Sequence, residues 1–160
     1  MRIILNRQVV DDAWHHVGDD EALPKGGVIV SWNRFFADPE ALLRHEGGLG
    51  VRVHGSHDVR ELAPFVDRLT LIALEFPKFG DGRNYSHARI LREELGFRGQ
   101  LRAVGDVLRD QLFFMARCGI NAFELRADRD PEAALSAFSD FSQVYQGASD
   151  DPRPRYRRAV

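Results

Sequence analysis

From residue 28 onward, short apolar runs alternate with segments of helical periodicity. "VIVSW" is followed by "DPEALLRHEG", "GVRVHG" by "DVRELAPFVDR", "LTLIALEF" by "SHARILREELG", "QLRAVG" by "DVLRDQLFFMARCG", and "AFEL" by "DPEAALSAFSDFSQVYQ". Five strand-then-helix units in succession predict an α/β domain with a mainly parallel sheet and right-handed crossovers. Boundary signals agree. Asp38-Pro39-Glu40 and Asp130-Pro131-Glu132 each place an N-cap acceptor before a proline at the first helical position. Gly96 and Gly119 each end a helical pattern and precede an apolar residue, as a Schellman-type stop prefers. Ala88, Leu91 and Leu95 share one helical face, as do Leu108, Leu112 and Met115, and Ala134, Phe138, Phe141 and Tyr145. These stripes belong to a core.

The strands discriminate between two parallel architectures. A doubly wound, flavodoxin-like sheet carries helices on both faces and wants central strands apolar on both sides. Here alternation sets Val51 and Val53 against Arg52 and His54, Leu101 and Ala103 against Arg102, and Phe123 and Leu125 against Glu124. One face therefore carries charge. That favours helices mostly on one side of a sequentially ordered sheet, a partial (βα)-barrel whose interior can hold a charge network, with doubly wound winding as the alternative. A full eight-unit barrel typically takes ~250 residues, more than this chain of 160 provides. The segments "MRIILNRQVV" and "AWHHVG" are expected to form an antiparallel N-terminal hairpin over one sheet edge, and a homodimer could cover the other. Residues 1–147 read as one domain. Residues 148–160 read as a flexible basic tail carrying Arg153, Arg155, Arg157 and Arg158.

Charge and composition narrow the partners. A formal net charge of -2, with pI near 6.3, lacks the basic excess of a nucleic-acid-binding domain. The first apolar stretch is interrupted by Asn6, Arg7 and Gln8, which makes it neither a signal peptide nor a membrane span, and a cytoplasmic protein is expected. The lone Cys118 excludes an internal disulfide and cannot supply an iron–sulfur cluster. No G-x-G-x-x-G follows a strand, and no flavin motif is present. No cofactor is expected.

Candidate chemistry collects where parallel α/β folds bind ligands, at the carboxyl ends of the strands. The long connection "EFPKFGDGRNYSHARILREELG" supplies Glu75, Lys78, Asp81, Arg83, Asn84 and Tyr85, and the next strand end supplies Asp106, Arg109 and Asp110. Gly80 and Gly82 permit a sharp turn into a helix introduced by Tyr85 or Ser86, whose N-terminus attracts anions. Lys78 and Arg83 could hold a phosphate, sulfate or carboxylate, with Glu75 or Asp106 moving a proton. Asp106 could cap its own helix, with Arg109 one turn above it. A static ion-pair network, Arg83 on Asp106 or Asp110, uses the same residues. His54, His57, Asp58 and Glu75 could be drawn as a metal site, but a hydrogen-bonded rim is the commoner role for such histidines and no metal is expected.

The stretches "EFPKFGDGRNYSHARILREELGFRGQLRAVGDVLRDQLFFMARCGINAFEL" and "LPKGGVIVSW" resemble a family of small bacterial proteins of unassigned function. Members are commonly encoded beside sulfite or nitrite reductase and phosphoadenylyl-sulfate reductase, and are labelled oxidoreductases of sulfite reduction. The resemblance implies a role in assimilatory sulfur metabolism: an accessory protein that binds the reductase, another enzyme of the pathway, or an anionic ligand. The alternative it implies is an enzyme acting on a small oxyanion or a nucleotide-linked substrate. It carries no catalytic residues across.

Overall fold

The computed structural model describes residues 1–77 and 82–138. Lys78, Asp81 and the expected tail lie outside the described residues. The strands are β1 (Arg2–Leu5), β2 (Gln8–Asp11), β3 (His15–His16), β4 (Val28–Ser31), β5 (Leu49–Val53), β6 (Leu71–Phe76), β7 (Gln100–Gly105) and β8 (Ala122–Phe123). They form one sheet in the order β2-β1-β8-β7-β6-β5-β4-β3. From β3 to β8 neighbours are parallel and consecutive, while β1 runs antiparallel to β8. A doubly wound order is thereby excluded, because the order never reverses within the parallel set.

The sheet is curled into a half-barrel. β3 and β8 are five strand steps apart in the order, about 24 Å if the sheet lay flat at ~4.8 Å per step. Yet His16 Nε2, on β3, lies 2.8 Å from Glu124 Oε2, just past β8. Strong curvature alone brings them together.

The N-terminal hairpin differs from expectation. "MRIILNRQVV" does form it, turning at Asn6 and Arg7, whose φ values of 51° and 64° suit a type I′ turn. "AWHHVG" does not join it: His15 pairs with Val28 and His16 with Ile29, in parallel, at the opposite end of the sheet. Two residues are too few for alternation to declare a partner, so the pairing is set by tertiary context.

Helices pack on the outer face. α1 (Trp32–Ala37) and α2 (Pro39–Leu43) follow β4, a 3₁₀ helix over Val59–Phe65 follows β5, and α3 (Arg83–Arg89) follows β6 and continues as a π turn over Ile90–Glu94. α4 (Leu112–Arg117) follows β7, and α5 (Pro131–Ala134) with a 3₁₀ turn, Leu135–Phe138, follows β8. The caps act as the sequence indicates: the Asp38 carboxylate accepts from the Ala41 N–H, and that of Asp130 from the Glu132 N–H. Gly119, at φ 106°, closes α4 in a Schellman motif, with Ile120 N–H donating to Met115 O and Gly119 N–H to Ala116 O. α4 begins only at Leu112, so Asp106 caps no helix; its N–H donates instead to Phe76 O at 2.7 Å. Arg92, on the π turn, donates to the Gly119, Phe97 and Gly99 carbonyls, and burial lowers its pKa.

Val30, Val51, Ile72, Leu74, Ala103 and Phe123 face the helices and are essentially sealed from solvent. The inner face has only a small apolar cluster, Ile29, Leu71, Ala73 and Val104, with Trp14 packed against it. Trp14 packs closely there: a Cβ on Gly27 would lie 2.7 Å from its indole ring. Among the described residues, no helix is long and apolar enough to cross a membrane.

Candidate functional site at the mouth of the half-barrel

Register places the charged inner positions in one row. Ser31 pairs with Arg52, Arg52 with Ala73, Ala73 with Arg102 and Arg102 with Ala122. Because alternate residues share a face, His54, Glu75, Val104 and Glu124 form the next level toward the carboxyl ends. Arg102 is fully buried. Its Nη1 and Nη2 grip both oxygens of Asp12 at 2.9 and 3.0 Å, its Nε donates to Gln100 Oε1, and Glu124 Oε1 lies 3.7 Å away. Arg102 and Glu124 thus interact on the helix-free face, as one-sided burial of charge requires.

The network continues toward the mouth. Glu124 takes His16 Nε2 on both oxygens, at 3.1 and 2.8 Å. The other ring nitrogen, Nδ1, lies 3.2 Å from Arg52 Nη1. A guanidinium only donates, so Nδ1 accepts and the His16 proton sits on Nε2. Arg52 Nε in turn lies 3.2 Å from Glu75 Oε1. Asp12, Arg102, Glu124, His16, Arg52 and Glu75 form an unbroken chain from sealed interior to open surface. Asp12 and Arg102 are 5% and 0% exposed at one end and Glu75 is 39% exposed at the other, so access is greatest at the mouth.

Two adjoining cavities open at this mouth, and both are lined by Arg52, His54 and Glu75. The smaller, about 140 Å³, adds Ser31, Trp32, Asn33 and His57. The larger, about 580 Å³, adds His16 and Glu124 together with the apolar Met1, Phe76, Pro77, Val104 and Leu125. Gly105, also on its wall, has φ 92°, and a Cβ there would lie 2.5 Å from Phe76 O. Only glycine lets β6 and β7 end so closely.

The turn after β5 fixes two imidazoles through its own backbone. The His54 N–H donates to His57 Nδ1 at 2.9 Å, the Ser56 N–H to His54 Nδ1 at 3.1 Å, and the His57 N–H to His54 O at 3.0 Å. Both Nδ1 atoms accept, so each neutral ring carries its proton on Nε2 and keeps a donor for a ligand. His57 stacks on Trp32, with centroids 4.4 Å apart and planes 7° apart. Burial, then the neighbouring His54, lowers the His57 pKa from the ordinary imidazole value, against the opposing pull of Glu75 and Glu61. An NMR titration is expected to place the His57 midpoint below 6.5. The corresponding stability is complete above the unfolded value and is lost as pH falls through the depressed folded one. A midpoint above 6.5 would refute this environment.

Of the residues singled out from sequence, Glu75 lines both cavities. Asn84 is buried beneath them: its Nδ2 donates to Glu75 O at 2.6 Å and its Oδ1 accepts from His87 Nδ1 at 2.8 Å, anchoring α3 to the end of β6. Tyr85 packs between Phe76 and Phe114, and burial, then Cys118, raises its pKa. Arg83 is exposed on α3. Asp106 lies 3.4 Å from Arg126 Nη1, Arg109 donates to Ser136 Oγ at 2.8 Å, and the Asp110 side chain is almost wholly exposed. The described residues therefore gather Glu75 with Arg52, His54, His57 and His16. His16 and Arg52 were not assigned to the site from sequence; the alternation of "GVRVHG" marks Arg52 as inward, whereas nothing local marks His16. Among the described residues, no group of three histidine, cysteine or acidic side chains could hold a metal ion.

Fold and mouth together define an α/β half-barrel with a charged concave face and a preorganised set of N–H donors at the strand ends. Residues 50–156 match the model of the bacterial protein of unknown function DUF934, and the chain belongs to that family. No curated protein matches it.

Proposed function

We propose that this chain binds a small oxyanion at the mouth of the half-barrel, and that it does so as an accessory protein of sulfite reduction. The observation that carries the binding reading is the donor set: Arg52 with the Nε2–H groups of His54 and His57, around a cavity wall that all three line. Arg52 Nε lies 3.2 Å from Glu75 Oε1 and its Nη1 3.2 Å from His16 Nδ1, so two neighbours fix the orientation of the guanidinium. A guanidinium held in one orientation at a cavity wall is preorganised for an anion. The sulfur-pathway assignment, and sulfite reductase as the partner, rest on the resemblance of residues 75–125 rather than on geometry.

A second reading, proton transfer to or from a bound oxyanion, is favoured by Glu75, whose half-exposed carboxylate lines both cavities. Calorimetric titration with sulfite, sulfate and phosphate tests the binding reading. Arg52→Gln is expected to weaken the tightest of these at least tenfold, or ~1.4 kcal/mol. Melting should change little, because the Arg52–Glu75 pair is partly solvated and such pairs contribute about 0–1 kcal/mol. Unchanged anion affinity in Arg52→Gln, or no anion binding by the parent protein, would sink the proposal. Co-purification with sulfite reductase tests the partner separately.

A further inference from the structure

We infer that the ligand of this mouth is an amphipathic oxyanion, a sulfonate, sulfate ester or phosphate ester with an organic body, and not a bare inorganic ion; the inference rests on the oxyanion reading above. Volume is the first ground. The larger cavity, about 580 Å³, falls within the ~300–1,000 Å³ typical of sites for organic ligands. At ~30 Å³ per water it holds roughly 19 waters, of which an ion the size of sulfite would displace only a few.

Sidedness is the second ground. Arg52 and His54 belong to β5 and the turn after it, while Val104 belongs to β7, Leu125 follows β8 and Pro77 follows β6. Val104 and Leu125 therefore lie across Glu75 from the polar donors, two or more strands away, ~10 Å or more along the curved sheet. The carboxylate on the apolar side, Glu124, is engaged by His16 and lies near Arg102, with 8% of its side chain exposed. That wall offers an incoming molecule mainly hydrocarbon contact. A head group on Arg52, His54 and His57 directs an attached body over Val104 and Leu125. The inner-face level below the cavity is filled by Arg102 and its partners, which confines the body to the mouth.

The experiment is a ligand ladder on the intact chain: inorganic sulfite and sulfate, then methane-, propane- and hexanesulfonate, with hexanol as the control lacking a head group. Trp32, stacked on His57, supplies a fluorescence readout beside calorimetry. Affinity is expected to rise about fourfold for each methylene that reaches the apolar wall, and at least ~tenfold across the sulfonates. Arg52→Gln should weaken all of the anions. Val104→Phe, which narrows the apolar side, should flatten the ladder while leaving inorganic anions bound; if that variant does not fold, the ladder on the parent protein decides alone. Equal affinity for sulfite and hexanesulfonate, both lost in Arg52→Gln, overturns the amphipathic ligand and leaves the oxyanion reading standing. Hexanol binding as tightly as hexanesulfonate, or no binding by any anion, overturns both.

Discussion

Arg102→Met is expected to destabilise the protein by about 3–5 kcal/mol, the largest effect of any single change at the inner face. Methionine matches the arginine stem in bulk but leaves the Asp12 and Glu124 carboxylates without the charge that now compensates them. Their side chains are only 5% and 8% exposed, so water cannot substitute fully. Asp12 would retain the Trp14 N–H, and Glu124 would retain His16. Neither contact supplies what a bidentate guanidinium does. For a domain of this size the loss corresponds to a melting decrease of ~6–20 °C. Urea unfolding of Arg102→Met and of a triple variant, Arg102→Met with Asp12→Leu and Glu124→Leu, separates the pair's net contribution from the cost of orphaning its partners. The triple variant should recover most of the loss, since a buried ion cluster replaced whole by apolar groups is often neutral or better. A single variant within 1 kcal/mol of the parent, as an order-of-magnitude limit, would show that these carboxylates are not truly sequestered.

Asn84→Leu should cost about 1–3 kcal/mol, because the leucine is of similar shape and abandons two part-buried polar partners at once. The Glu75 carbonyl loses its 2.6 Å donor and His87 Nδ1 loses its acceptor. A functional consequence should accompany the loss. Asn84 clamps the backbone of Glu75, whose side chain orients Arg52, so anion affinity should drop even at temperatures where the variant is fully folded. Paired measurement of unfolding and sulfite affinity checks this. Full stability in Asn84→Leu would mean the carbonyl has found water, and full affinity would mean that Glu75 is steered from the inner face alone.

The inner face was legible because alternation is a local property of the backbone. Arg52, Arg102 and Glu124 each stand between apolar residues that had to face the helices, and so could point only inward. Sequential strand order followed from the same one-sidedness. Helix extent was less legible. "DVRELAPFVDR" has helical spacing, yet Pro64 lies inside it and the segment settles as a 3₁₀ helix, Val59–Phe65. In the long connection after β6, polarity was a poor guide to exposure: Asn84 looks like a ligand donor and is spent on the chain itself. His16 was hidden for the opposite reason. Its role depends on curvature that unites residues 108 positions apart, and no short pattern carries that information.

The antiparallel pairing of β1 with β8 also sets a timetable for synthesis. Leu5 leaves the ribosome long before its partner Ala122 exists, a wait of roughly 6–23 s at ~5–20 residues per second. Throughout that interval Ile3 and Ile4 belong to an unsatisfied strand edge. The β1–β2 hairpin is the remedy available at once, since its partners are all within the first eleven residues and it can close in microseconds. One side of β1 is thus occupied from the start, and only the other stays open to a stray strand from another chain. A nascent protein that lost the Asn6–Arg7 turn would be expected to aggregate during translation even if the finished fold tolerated the change.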